Sequence, residues 1–87
     1  MTYEVRISSP ARRDLNKLPE SVAAAAVEFI FGPLAENPQR VGKMLSNELV
    51  GRRSARRGQY RIIYRIDDDQ VLVEVIRIAH HRDAYRR

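Results

Sequence analysis

The stretch Leu49-Val50-Gly51-Arg52-Arg53-Ser54-Ala55-Arg56-Arg57-Gly58-Gln59-Tyr60-Arg61-Ile62-Ile63-Tyr64-Arg65-Ile66 decides how this chain folds. Gly58 marks a tight turn between two extended arms, residues 49–56 and 59–66, so the segment predicts a β-hairpin. With Arg57-Gly58 as the loop, Arg56 stands opposite Gln59, Ser54 opposite Arg61 and Arg52 opposite Ile63. Opposed residues share a face of a sheet, and so do alternate residues along each strand. Arg52, Ser54, Arg56, Arg61 and Arg65 then gather on one face, with Arg53, Ala55, Tyr60, Ile62, Tyr64 and Ile66 on the other. The second set is mostly apolar and is expected to pack on helices. The first is a field of arginines with little to bury, and a register slip of one residue would scatter it.

Downstream, Asp67-Asp68-Asp69-Gln70 reads as a second turn. Residues 71–79 form a nearly continuous β-branched run, the pattern of a central strand covered on both faces. Upstream, residues 39–48 read as a loop and Asn37-Pro38 as a firm stop. The run from Glu20 to Phe31 is strongly helical, with Val22, Ala26, Phe29 and Ile30 at core spacing. Gly32-Pro33 predicts a kink or brief interruption before Leu34. A shorter helix precedes it, with Ser9 as cap, Pro10 in the first position, Leu15 and Leu18 inward, and Pro19 at its end. Residues 2–8 alternate, Tyr3, Val5 and Ile7 against Thr2, Glu4, Arg6 and Ser8, as a half-buried strand does. The order is strand, two helices, three strands. That predicts one α+β domain over residues 1–87, a two-helix hairpin on one face of a sheet whose last three strands form an antiparallel meander.

The chain has 87 residues, 16 basic against 11 acidic, and a formal charge of +5. At this length a doubly wound cofactor-binding sheet or a barrel is excluded, and any chemistry sits on an open face. There is no cysteine, hence no disulfide framework, thiolate metal site or thiol nucleophile. No apolar run approaches the ~18 residues of a membrane span, so a cytoplasmic protein without membrane contact is expected. Residues 1–50 hold six basic and six acidic groups, whereas residues 51–87 hold ten arginines against five acids. The whole excess therefore belongs to the C-terminal part. Guanidinium groups grip phosphate as planar forks, so this asymmetry points to a nucleic acid or an acidic protein segment as partner.

A basic face alone only binds. Cutting RNA through its 2′-hydroxyl needs a proton removed there, charge stabilised on phosphorus, and a proton returned to the leaving 5′-oxygen. Arginine can do the second but moves no proton near neutral pH, since its pKa lies above about 12. The proton carriers at hand are His80 and His81, with Tyr85 a weaker one. Alternation sends the two histidines to opposite faces, so one of them faces the arginine field. Lys43 is available from the preceding loop. Asp67-Asp68-Asp69 fits solvated turn chemistry better than a magnesium site, and His80-His81 has no further ligands at zinc spacing. No metal or other cofactor is expected.

The order of elements, Leu49-Val50-Gly51 followed by Arg56-Arg57-Gly58-Gln59-Tyr60-Arg61-Ile62-Ile63-Tyr64, and the tail His80-His81-Arg82-Asp83-Ala84-Tyr85-Arg86 resemble the RelE/ParE superfamily of toxins from type II toxin–antitoxin modules. The resemblance spans essentially the whole chain and lies closer to the RelE branch. It implies a metal-independent endoribonuclease that cuts mRNA on the ribosome and so inhibits translation. It implies that Arg61 holds the scissile phosphate with Arg56 beside it, that His81 acts as general acid, and that Tyr85 stacks on the base or orients the 2′-hydroxyl. Ser54 stands where some members carry Lys, a contribution that is absent here or supplied by Arg52 or Arg53. Arg52, Arg53, Arg57, Arg82 and Lys43 are the candidate contacts to the rest of the RNA. The partners implied are ribosome, message and a cognate antitoxin whose acidic segment wraps the toxin in a hetero-oligomer. Two alternatives stay open: a ParE-like inhibitor of DNA gyrase without RNA chemistry, and a plain nucleic-acid-binding module, whose affinity would fall steeply with salt.

Overall fold

Tyr60, Ile62 and Tyr64 alternate with Arg61, Ile63 and Arg65 along one strand, buried side chains against more accessible ones, and that alternation organises the molecule. The computed structural model describes residues 2–45 and 51–80. Five strands, β1 (Glu4–Ile7), β2 (Lys43–Met44), β3 (Arg53–Arg57), β4 (Tyr60–Asp67) and β5 (Leu72–His80), form one sheet in the order β1-β5-β4-β3-β2. Helices α1 (Ser9–Lys17) and α2 (Glu20–Phe29) fall between β1 and β2 in the chain. Both pack on one face of the sheet. Ala11, Val22, Ala26, Phe29 and Ile30 meet Ala55, Tyr60, Ile62, Tyr64, Val73, Val75 and Ile78 in a single cluster.

The sheet is mixed. Strands β3, β4 and β5 make the expected antiparallel meander, but β1 runs parallel to β5, which leaves β5 an interior strand as its apolar run implies. Part of the segment expected to be loop also joins the sheet. Lys43 and Met44 pair with Ser54 and Arg53 as β2, and two residues are too few to leave a periodic signal.

The hairpin turn is Gly58-Gln59 rather than Arg57-Gly58. Arg57 pairs with Tyr60, Arg56 with Arg61, Ala55 with Ile62 and Ser54 with Ile63. Gly58 has φ +52°, a left-handed conformation that a glycine adopts without a Cβ penalty. Moving the turn by one residue moves the register by two. Faces repeat every two residues, so the partition of side chains survives although every opposed pair changes.

The first helix begins one residue earlier than expected. Ser8 is its cap, accepting the Ala11 N–H at 3.2 Å, and its hydroxyl also donates to the Ile76 carbonyl at 2.8 Å. Gly32-Pro33 does not break the second helix. Residues Ile30–Leu34 form a wider π turn that absorbs the donor missing from Pro33, and helix resumes at residues 35–36.

Strand β5 is bulged. Ile63 pairs with Arg77 but Tyr64 with Val75, so Ile76 has no partner on β4. Helix α1 grips this irregularity through Ser8 and through Asp14. Asp14 accepts two hydrogen bonds from Arg77, at 2.8 and 3.1 Å, and one from the Ile78 N–H at 2.9 Å. Burial pushes the Asp14 carboxyl up. The hydrogen bonds from Arg77 and Ile78 and the charges of Arg77 and Lys17 outweigh it, and the pKa lies below its ordinary 3.8. A carboxylate held lower in the folded than in the unfolded chain stabilises the fold above about pH 4, and that contribution is lost as pH falls through the folded value. Asp14→Asn is therefore expected to lower the unfolding free energy at neutral pH by about 1–3 kcal/mol and to flatten the acid limb of the stability curve. Urea melts over the acid range check both, and an unchanged acid limb would remove Asp14 from that role.

Candidate nucleic-acid interface

The sheet face turned away from the helices carries the candidate residues Arg56, Arg61 and Lys43. Arg56 and Arg61 oppose each other across β3 and β4, one row from the Ser54–Ile63 pair, and Lys43 on β2 opposes Ser54. Paired residues share a face, so Lys43, Ser54, Arg56, Arg61 and Ile63 form one surface. Lys43 and Arg56 are exposed and Arg61 is half-buried. The Nε atoms of Arg61 on this face and of Arg53 on the opposite one are both buried with no hydrogen-bond partner among the described residues. Like charges directly opposed on a ladder are destabilising, and so is an unsatisfied buried donor. The face is thus built against stability in a way that an incoming polyanion would relieve.

Four further arginines of the sheet are engaged within the chain. Arg65, on the same face further along β4, pairs with Glu74 at 2.7 Å, and Arg77 with Asp14 at 2.8 Å. Arg53 lies on the opposite face, where its Nη2 donates to the carbonyls of Gln39 at 2.7 Å and Gly42 at 3.3 Å. Arg57 stacks 4.7 Å above the Phe29 ring and donates to the carbonyls of Arg56 and Val41. The structure therefore separates Arg53 and Arg57 from the Arg56–Arg61 pair with which the sequence grouped them as RNA contacts. Arg52 is exposed just ahead of β3, beside a hollow of about 200 Å³ bordered by Gln39, Met44, Ile66 and Asp68.

His80 pairs with Tyr60 and lines a hollow of about 550 Å³ with Asp14, Lys17 and Leu18, on the helix side. It is not on the arginine face. His81, Arg82 and Tyr85 lie outside the described residues. A second cleft, of about 370 Å³, opens between the start of α2 and the hairpin tip, lined by Ser21, Val22, Ala25, Arg57 and Tyr60. Neither of these two hollows is lined by Arg56 or Arg61. The described part of the site is an open surface.

One feature escaped sequence reasoning. Four carbonyls of residues 38–42 are held by side chains of β3 and β4: Pro38 by the Tyr64 hydroxyl at 2.6 Å, Gln39 and Gly42 by Arg53, and Val41 by Arg57. Burial pushes the Tyr64 phenol above its ordinary 10.0 despite the neighbouring Arg53 and Arg57, so it stays protonated and donates. Gly42 lies so close that a Cβ there would run into the Tyr64 hydroxyl and come within 2.7 Å of the Ser54 carbonyl. This clamp fixes the segment that leads into Lys43. The spacing of Pro38 and Gly42 was its only trace in the sequence.

Residues 5–85 match the family described as the ParE toxin of the type II toxin–antitoxin system parDE. The chain is 55% identical to Toxin RelG of Mycobacterium tuberculosis over the full length of both. It is 56% identical to Toxin RelE of the same organism over 97% of this chain and 87% of that protein. The crystal structure of the toxin–antitoxin complex RelBE2 from M. tuberculosis contains a chain that superposes with a TM-score of 0.91 at 54% identity, covering 92% of this chain and 99% of that one. The isolated RelE toxin of E. coli, 20% identical, shares the fold with a TM-score of 0.73 over 90% of this chain and 83% of that one.

The fold and the named relatives together define a RelE-like α+β toxin. The chain belongs to the ParE toxin family of type II toxin–antitoxin systems, and its named relatives are RelE-type toxins.

Proposed function

We propose that this toxin is a metal-independent endoribonuclease that cuts mRNA on the ribosome and so stops translation. The observation that carries the proposal is the Arg56–Arg61 pair on an open face, with the Arg61 Nε buried and unpartnered among the described residues. Two guanidinium forks side by side suit a phosphodiester, and the negative charge that builds on phosphorus during cleavage is where fixed donors act most strongly. Lys43, Arg52 and Arg82 bind the flanking backbone. His81 and Tyr85, in the segment that follows β5, serve the proton at the 2′-oxygen, since arginine cannot. Arg53 and Arg57, tied to backbone carbonyls, support the face from behind.

The solved relative from M. tuberculosis is a toxin–antitoxin complex. We carry the same arrangement to this chain: a cognate antitoxin binds it in a hetero-oligomer and lays an acidic segment over the +5 surface. Action on ribosomes places the toxin in the cytoplasm, and among the described residues no helix is long and apolar enough to cross a membrane.

The family match to ParE favours one competitor, inhibition of DNA gyrase. Two assays on the wild-type toxin separate the proposals. Discrete cuts in message on programmed ribosomes, with gyrase supercoiling unaffected, are expected. Intact message together with blocked supercoiling would replace the nuclease with the gyrase inhibitor.

A further inference from the structure

Resting on the nuclease proposal, we infer that Lys43 is itself a catalytic residue, whose ammonium gives the proton to the departing 5′-oxygen. The first support is position. Lys43 faces Ser54 across β2 and β3, on the surface that holds Arg56 and Arg61. Directly opposed side chains start roughly 5 Å apart, and Lys43 is exposed on a four-carbon stem long enough to span the width of one strand.

Displacement at phosphorus supplies the second. Attacking and leaving oxygens stand roughly in line on opposite sides of the phosphorus. One group cannot serve both, so base and acid must approach a phosphate over β3 and β4 from opposite flanks. Strand β5 forms one flank and β2 the other.

Elimination supplies the third. Among the described residues of this face, arginine holds its proton too tightly to give it up, and so does the hydroxyl of Ser54. Glu74 is engaged by Arg65. His80 is on the helix side. Among the described residues of this face, lysine is the remaining side chain with a transferable proton on a movable stem. The clamp on residues 38–42 explains how a two-residue edge strand can hold such a group in place.

In the step proposed, the 2′-oxygen loses its proton to a base and bonds to phosphorus. The bond between phosphorus and the 5′-oxygen breaks with its electron pair going to that oxygen. Lys43 passes one proton to it and is reprotonated from solvent. The products are a 2′,3′-cyclic phosphate and a 5′-hydroxyl.

Single-turnover cleavage of ribosome-bound message tests this, at a site mapped with the wild-type toxin. Wild type, Lys43→Arg, Lys43→Gln and Arg61→Ala are each given the ordinary linkage and one with sulfur replacing the 5′-bridging oxygen. A thiolate leaves without a proton. Both Lys43 variants are expected to cut the ordinary linkage at least about 100-fold slower and to regain near-wild-type rates on the sulfur linkage, with melting temperatures unchanged because the side chain is exposed. Arg61→Ala is expected to stay slow on both. Lys43→Arg cutting at the wild-type rate would reduce Lys43 to a charge and overturn the inference. So would Lys43 variants that sulfur fails to rescue. Wild type leaving the ordinary linkage uncut would instead refute the nuclease proposal, and this inference with it.

Discussion

Arg61→Ala is expected to slow cleavage of ribosome-bound message by about 10²–10³-fold, the typical cost of losing one fixed donor to a developing oxyanion, without destabilising the toxin. The two halves of this expectation have one origin. Arg61 sits opposite Arg56 and keeps a buried Nε without a partner among the described residues. In the resting protein it therefore contributes repulsion and an unmade hydrogen bond. Truncation removes both, and the unfolding free energy should stay constant or rise by about 0.5 kcal/mol. Residues that weaken the fold yet persist are the pattern of a functional site. Arg65→Ala is the control. It is an arginine of the same strand and face, but its charge is satisfied by Glu74. Its loss should change cleavage by less than about threefold, since exposed ion pairs carry little energy. Equal loss of activity in the two variants would mean that the face works by overall charge, and the assignment to Arg61 would fall.

The second large effect is on stability. Gly42→Ala would place a methyl group against the Tyr64 hydroxyl and 2.7 Å from the Ser54 carbonyl. The Ser54 carbonyl is backbone within the sheet and cannot swing aside, and Tyr64 is fully buried. The segment must lift, and the buried hydrogen bond from Tyr64 to Pro38 goes with it. Overpacking of this kind costs about 1–3 kcal/mol, and a buried donor left unmade costs about 1–3 kcal/mol more. A total of about 2–6 kcal/mol corresponds to a melting temperature lower by roughly 10–40 °C for a domain of this size. Tyr64→Phe leaves the space unchanged and removes only the hydrogen bond, so its melting temperature should fall less. A Gly42→Ala protein that melts with the wild type would show that the clamp is not under tension.

Much of this arrangement was legible before the structure. The helices announced themselves through apolar spacing in residues 20–31, and the hairpin through Gly58. The face partition was recoverable even with the turn misplaced, because the error of one turn residue equals two register steps. What could not be read has physical reasons. The pairing of Lys43 and Met44 is too short to make a period. The parallel contact of β1 with β5 joins segments more than sixty residues apart, and nothing local encodes its direction. The diversion of Arg53 to the Gln39 and Gly42 carbonyls, and of Arg57 to Phe29, depends on where loop 38–42 lies in space. Composition counts both as arginines available to RNA. The sheet spends them on its own backbone.

The bulge at Ile76 acts as a phase inverter. Before it, odd-numbered residues of β5 (Val73, Val75) point to the helices; after it, even-numbered ones (Ile78, His80) do. Deleting this one residue would close the ladder without a bulge, with Val75 opposite Tyr64 and Arg77 opposite Ile63, and would leave Ile78 and His80 facing the helices as before. A one-residue difference in the length of β5 is therefore tolerated at this point, because the bulge takes up the odd residue and keeps both faces in phase with β4.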